Sequence, residues 1–385
     1  MQKIFRIIFV IAVCYHAFFY ISALKTHTLD AWYEHTTPGQ DFFQIPNAVY
    51  AFLHGGTLQG KLPDNVLPYT TCCAINDNVY HPLFTFLIGF PLQLLAPWTA
   101  FAVWIIVHII ITLFTLYYLW HNHRKNPVLY LALGTYLLIS YHYYEIKMAQ
   151  YHFLFVFFVM LFLHDSEKNG DTIRTGIWLF LSLLVKPIGL LFLIPLLLYK
   201  RWRTVLIGFG FFFLATISTV IMPENRYYAL NIIDVSKKAI TTNYNLYAIS
   251  HFLPVSPQYI QWGSYLIACI LILYQVRKKP PLFVILTSWI CFQLLFYSSV
   301  FAYYYTIAAP ILALSFLFGY LRITAVTITI TLLFILPTPA IYFHLRGSPE
   351  ILPLQEYLFL AIWSCFTLIW LSVEILFSHL RNQEA

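Results

Sequence analysis

Asp41 stands in the stretch TTPGQDFFQIPNAVYAFLHGG, residues 36–56, close behind the first hydrophobic run of the chain. A carboxylate whose ordinary pKa is about 3.9 becomes a better proton acceptor when apolar neighbours such as Phe42 and Phe43 raise that value. The same residue could equally be an exposed loop acid or the cap of the helix that follows. Lys186 lies in GIWLFLSLLVKPIGLLFLIPLLLYKRWR, residues 176–203, where an ammonium in so apolar a setting wants an anion. Snorkelling, or a helix-end carbonyl beside the kink at Pro187, would explain it without function. YHYYEIKMAQYH at 141–152 crowds Glu145, Lys147, Gln150 and His152. Glu145 and Lys147 could pair with other side chains in a turn, and Gln150 and His152 could bond to backbone. Asn243 and Asn245 fall in TTNYNLYAISHFLP, and Tyr303 opens three tyrosines in SSVFAYYYTIAAP, a pattern usually explained by an aromatic belt.

The elements that position these groups are apolar. The chain is 60% hydrophobic and only 10% charged, with a mean hydropathy of +0.73, far from the roughly 25% charged residues of soluble domains. Runs long enough for a hydrocarbon core of about 30 Å occur at 4–23, 98–120, 204–222, 259–276, 281–298, 303–320, 323–341 and 353–377. Shorter ones lie at 128–144, 150–164, 175–185 and 187–199. The first run is too long for a signal-peptide core and lacks an A-x-A-like site, so it reads as a retained helix.

Basic residues gather in HNHRKN (121–126), KRWR (200–203) and RKK (277–279), with Lys3, Arg6, Arg322 and Arg381, which places these turns in the cytoplasm. Both termini then face the cytoplasm, and 24–97 forms a long first outer loop. Its segment 81–97 reads as an interfacial helix, because a further span would put HNHRKN on the wrong side. The same parity makes 175–199 two re-entrant half-helices broken at Lys186-Pro187, a form tolerated where backbone is buried in protein or lines a cavity. A second long outer loop covers 223–258. Most of the acids fall outside, so chemistry is expected on the outer face. The expectation is a single all-α polytopic membrane domain over 1–385, with about 10–12 transmembrane or re-entrant helices.

Several classes are excluded or disfavoured. The net charge of +7 is read as a topogenic signal rather than a nucleic-acid footprint. There is no G-x-x-x-x-G-K-[ST] phosphate loop and no H-E-x-x-H. The six cysteines make no metal pattern, and Cys72 and Cys73 are neighbours in the outer loop. No D-x-D occurs in the outer loops, and Asp165-Ser-Glu167 falls on the cytoplasmic side, so no metal and no cofactor are expected.

In order, these pieces resemble the type C membrane glycosyltransferases, and most closely glycosyltransferase family 87, the polyprenyl-phosphate-mannose-dependent group. The Asp-Phe of its first outer loop is matched by DFFQIPNAVYAFLHGGTLQG (41–60), and its aromatic-proline entry by YHPLFTFLIGFPLQLLAPWTAFAVW (80–104). Its Gly-Gln is matched by Ala149-Gln150, and its Lys-Pro with a basic-Trp-basic turn by KPIGLLFLIPLLLYKRWR. A later Asn patch corresponds to NYNLY (243–247), and its late aromatic entry to SVFAYYY (299–305). The resemblance runs from about residue 36 to about residue 315. Two positions depart from it: Tyr303 stands where the family tends to hold histidine, and Ala149 where it holds glycine.

The resemblance implies inverting, metal-independent sugar transfer on the outer face. The donor would be a polyprenyl-phosphate sugar, mannose being the family's commonest case, and the acceptor a hydroxyl of a lipid-linked or envelope glycan. Asp41 would be the catalytic base, and Lys186, His152, Gln150 and Tyr303 would bind the donor phosphate. Tyr80, His81 and Asn243 would touch substrate. The expected location is the bacterial inner membrane. A transporter or flippase of lipid-linked saccharides is the rival reading, since it too would use broken helices and intramembrane charge, although the chain shows no convincing internal repeat.

Overall fold

The computed structural model describes residues 2–29, 40–58, 60–70, 78, 80–220, 245–250, 256–297, 300, 302–336 and 354–384. Every regular element among them is helical. Among the described residues four helices are long and apolar enough to cross a membrane: α1 (Gln2–Leu29), α4 (Pro97–His123), α10 (Trp202–Thr219) and α12 (Pro257–Lys278). They keep apolar side chains such as Ile7, Ile110, Leu214 and Leu266 exposed. So much uncovered apolar surface suits a lipid-facing shell.

The interior is built from shorter helices. α7 (His152–Lys168) and α13 (Leu282–Phe296) are buried along almost their whole length, as befits helices apolar on all sides. α5 (Leu129–Leu138) lies between α1 and α14 (Ala308–Leu317), while α15 (Ala325–Ile335) and α16 (Leu354–Glu384) close the far side. The chain is an all-α polytopic membrane protein.

Three local features differ from a simple reading of the hydrophobic runs. The run 128–144 is not one helix: α5 ends at Leu138, and a separate short helix, α6 (His142–Met148), follows. Glu145 and Lys147 therefore sit on a buried helix, not in a solvated turn. The three tyrosines at 303–305 lie on a 3-10 segment, Ala302–Ile307, with Tyr304 and Tyr305 buried inside the protein, so they form no interfacial belt. Cys72 and Cys73 fall outside the described residues.

Close crossings hold the elements around Lys186. α2 (Gln40–Leu53) packs on α3 (Pro82–Gln93) at Gly89, where a Cβ would lie 2.6 Å from Val49 Cγ2 and 2.9 Å from the Ile45 carbonyl. α8 (Ile173–Val185) and α10 meet through two reciprocal glycines. A Cβ on Gly176 would come within 2.6 Å of Ile207, and one on Gly208 within 2.7 Å of Leu179. Small residues permit such approaches in membrane helices.

The segment between α8 and α10 is interrupted. α8 stops at Val185, Pro187–Phe192 forms a 3-10 segment, and α9 (Leu193–Leu198) precedes the turn into α10. At 1.5 Å per residue α8 spans only about 20 Å, well short of a bilayer core. Asp171, just before α8, accepts hydrogen bonds from the Thr204 amide and hydroxyl, each at 2.8 Å, and from the Arg203 amide at 3.1 Å. The two ends of the segment thus lie side by side.

Candidate active site

Lys186 owes its place to local chemistry. A residue before proline is pushed out of the helical region, and proline supplies no amide proton. Lys186 accordingly adopts φ −148° and ψ 130°, while its own amide still closes α8 by donating to the Ser182 carbonyl at 3.0 Å. The side chain leaves the helix axis at this break and is only 7% exposed. Its Nζ lies 4.0 Å from the centre of the Tyr304 ring, 4.6 Å from that of Tyr303 and 5.9 Å from that of Tyr80. Aromatic faces attract a cation by about 0.5–2 kcal/mol each, which offsets part of the cost of burying it.

Asp41 enters from a different element, the first turn of α2, with its carboxylate half-buried. Gln44 Nε2 donates to its Oδ1 at 3.0 Å. Burial pushes the Asp41 pKa up to about 6, and the Lys186 ammonium opposes that rise. The two residues are close enough to act on each other electrostatically, and Asp41 also acts on Tyr80, Tyr303 and Tyr304. One carboxylate, one ammonium and three phenols therefore share a single environment.

The turn between α6 and α7 supplies another wall. Ala149 is left-handed, at φ 48° and ψ 42°, and its carbonyl accepts from Trp104 Nε1 at 3.2 Å. This turn delivers Gln150, whose Oε1 accepts from the Tyr80 hydroxyl at 3.2 Å. His152 opens α7 fully buried, its ring centre 5.0 Å from that of Tyr304 and 5.6 Å from that of Tyr303. Of the residues singled out from sequence, Asp41, Tyr80, Gln150, His152, Lys186 and Tyr303 are brought together.

His81 is tied elsewhere. His81 Nδ1 accepts from the Leu83 amide at 3.1 Å and caps α3, while its Nε2 lies 3.3 Å from the Thr216 hydroxyl on α10. The side chain expected to touch substrate here links α3 to α10. Asn243 falls outside the described residues. Its neighbour Asn245 caps α11 (Leu246–Ser250), accepting from the Ala248 amide at 3.0 Å and donating to the Tyr297 carbonyl.

Sequence reasoning did not single out Tyr304, and it noted Glu145 without assigning it to the site. Tyr304 lies nearer the ammonium than Tyr303 does. Glu145 is fully buried and acts electrostatically on Lys186. Its signal was present in the spacing, since Glu145 follows His142 by three residues and helical neighbours at that interval meet. His142 Nδ1 lies 3.8 Å from Glu145 Oε2.

These contacts, within a polytopic helical shell, define a membrane protein that sets a buried cation against a general-base candidate. The family model for glycosyltransferase family 87 matches residues 78–299, more than half of the 385 residues, and the chain belongs to that family. It is a membrane glycosyltransferase. The matched region includes Tyr80, Gln150, His152 and Lys186, whereas Asp41 and Tyr303 lie on either side of it. Comparison with curated proteins gives no match.

Proposed function

We propose that this glycosyltransferase takes its sugar, mannose in the first instance, from a polyprenyl-phosphate donor and passes it to a hydroxyl of a lipid-linked or envelope glycan. The observation that carries this reading is the Lys186 ammonium, backed by Tyr303 and Tyr304 and facing Asp41 across a largely buried site. A phosphate with one lipid tail and one sugar suits a single buried cation in an apolar surround.

In the proposed reaction Asp41 removes the proton from the acceptor hydroxyl. The oxygen attacks the anomeric carbon on the face opposite the phosphate, the carbon–oxygen bond to phosphate breaks, and the configuration inverts. Lys186 neutralises the charge that develops on the departing polyprenyl phosphate, with Gln150, His152 and Tyr303 around it. General-base assistance contributes about 10² to 10⁴ in rate, and a preorganised cation in a water-poor site comparable amounts or more. The steps need no metal.

The topology that accompanies this reading places both termini and the 200–203 turn in the cytoplasm, with Asp41 outward. The segment 175–199 would then be a re-entrant hairpin, supported by the Asp171 contacts that join its two ends. Bacterial inner membrane is the proposed location.

The test is a panel of radiolabelled polyprenyl-phosphate sugars offered to membranes carrying the protein, with extraction of the product lipid. Transfer by wild type and its loss in Asp41→Asn are expected. Full transfer by Asp41→Asn would reject the assigned base, and flux of an intact lipid-linked saccharide without transfer would favour a flippase.

A further inference from the structure

Glu145 lies on α6 within electrostatic reach of Lys186, and no step of the proposed reaction uses it. It is 0% exposed, and neither carboxyl oxygen has a hydrogen-bond partner of ordinary length. The Thr306 hydroxyl flanks it but donates to the Tyr303 carbonyl at 2.7 Å. His142 Nδ1 faces it at 3.8 Å. Because His142 Nε2 lies 2.9 Å from the Tyr136 carbonyl, which can only accept, the ring proton belongs on Nε2 and the neutral ring turns a lone pair toward Glu145.

An ionised carboxylate without donors in an apolar interior is among the costliest arrangements a protein can hold. The groups that face Glu145 offer little compensation. They are His142 on its own helix, with His16 edge-on beyond it at 4.9 Å, Tyr20 from α1, Tyr136 from α5, Tyr80 ahead of α3, Thr306 from the 3-10 segment, and Lys186. His108 from α4 stands further back, against Tyr20. Of these groups Lys186 alone is an ammonium, and Asp41 already draws on it.

Charge counting points the same way. With Asp41 ionised, as a base must be, Lys186 and Asp41 balance. A donor phosphodiester then adds one negative charge, which the site tolerates only if no further anion is present. An ionised Glu145 would compete with the phosphate for the same ammonium.

We propose that Glu145 is a positioning residue held as a neutral carboxylic acid, and that this protonated state leaves the Lys186 charge available to an anionic phosphate; its ionisation would close the donor site. The assignment of phosphate to Lys186 rests on the function proposed above. The protonation state does not, and can be read without donor.

Difference infrared spectroscopy of the purified protein at pH 7, wild type against Glu145→Gln, is expected to show the carbonyl stretch of a protonated carboxyl that the variant lacks. Absence of that band overturns the proposal whether or not any sugar is transferred. In the transfer assay, Glu145→Gln is expected to keep the donor KM at pH 7 within about 2-fold, because the amide imitates the neutral acid. At alkaline pH the wild-type KM should climb and the variant's should climb less, the residue of the climb belonging to Lys186. A donor KM at pH 7 lowered by more than about 3-fold in Glu145→Gln would mean that the native side chain is charged, and identical pH profiles would mean that its ionisation does not matter; either result overturns the proposal. Should wild type transfer no sugar from any polyprenyl-phosphate donor, the function fails while the infrared result still decides the state of Glu145.

Discussion

The Tyr151 hydroxyl donates to the Phe42 carbonyl at 2.7 Å, the carbonyl that α2 itself cannot serve. In an α-helix that oxygen would accept from the amide four residues on, but residue 46 is proline and has none. The side chain just before α7, between Gln150 and His152, thus completes the first turn of the helix that carries Asp41. The two rings also lie nearly parallel, their centres 6.1 Å apart.

Tyr151→Phe should therefore loosen Asp41 without touching substrate. It leaves a buried carbonyl unpaired, at a cost of about 1–3 kcal/mol. Thermal unfolding in detergent is expected to show the loss of stability, and transfer assays a fall in kcat greater than any change in donor KM. An unchanged kcat would show that the placement of Asp41 does not depend on this bond.

The pH dependence of transfer should carry the mark of Asp41. Its pKa is raised to about 6, mainly by burial, and a base acts only when deprotonated. At saturating donor, kcat should rise as pH increases through about 6, before the alkaline loss of donor binding sets in. Asp41→Asn should lose about 10² to 10⁴ in rate together with that inflection. A variant that keeps the inflection would move the titration to another group.

Ala149 occupies a left-handed conformation that glycine adopts more easily. The strain is about 1–2 kcal/mol for a residue with a Cβ, part of which glycine returns through its greater freedom when unfolded. Ala149→Gly should keep full activity and match or slightly exceed wild type in melting temperature. Ala149→Val should lose both stability and the placement of Gln150, read as a rise in donor KM.

Gly208 and Gly210 lie two residues apart in α10 and should respond oppositely to the same change. A Cβ on Gly208 would fall 2.7 Å from Leu179, whereas one on Gly210 meets nothing within 4 Å. Gly208→Ala should destabilise by about 1–3 kcal/mol through overpacking. Gly210→Ala should be neutral or gain up to about 1 kcal/mol in helix propensity. Parallel melts of the two variants decide whether the α8–α10 crossing is as tight as drawn.

Much of this protein could be read from one dimension. Hydropathy marks the membrane helices because a hydrocarbon core demands long apolar runs, and Lys186-Pro187 predicts a break because pre-proline geometry is local. Asp41, Lys186, Gln150 and His152 stand out as polar groups in an apolar chain for the same reason. What the linear reading could not supply is which distant residues meet. The tyrosines at 303 and 304 fit an interfacial belt until the fold sets them under an ammonium more than a hundred residues earlier. Glu145 fits a surface turn until α6 buries it, and nothing in the sequence ties His81 to Thr216, 135 residues on. Periodicity and propensity act over a few residues, whereas the burial and electrostatic partners of a side chain are set by elements far away in the chain, so the membership of the site and the protonation of its acids were decided only by tertiary packing.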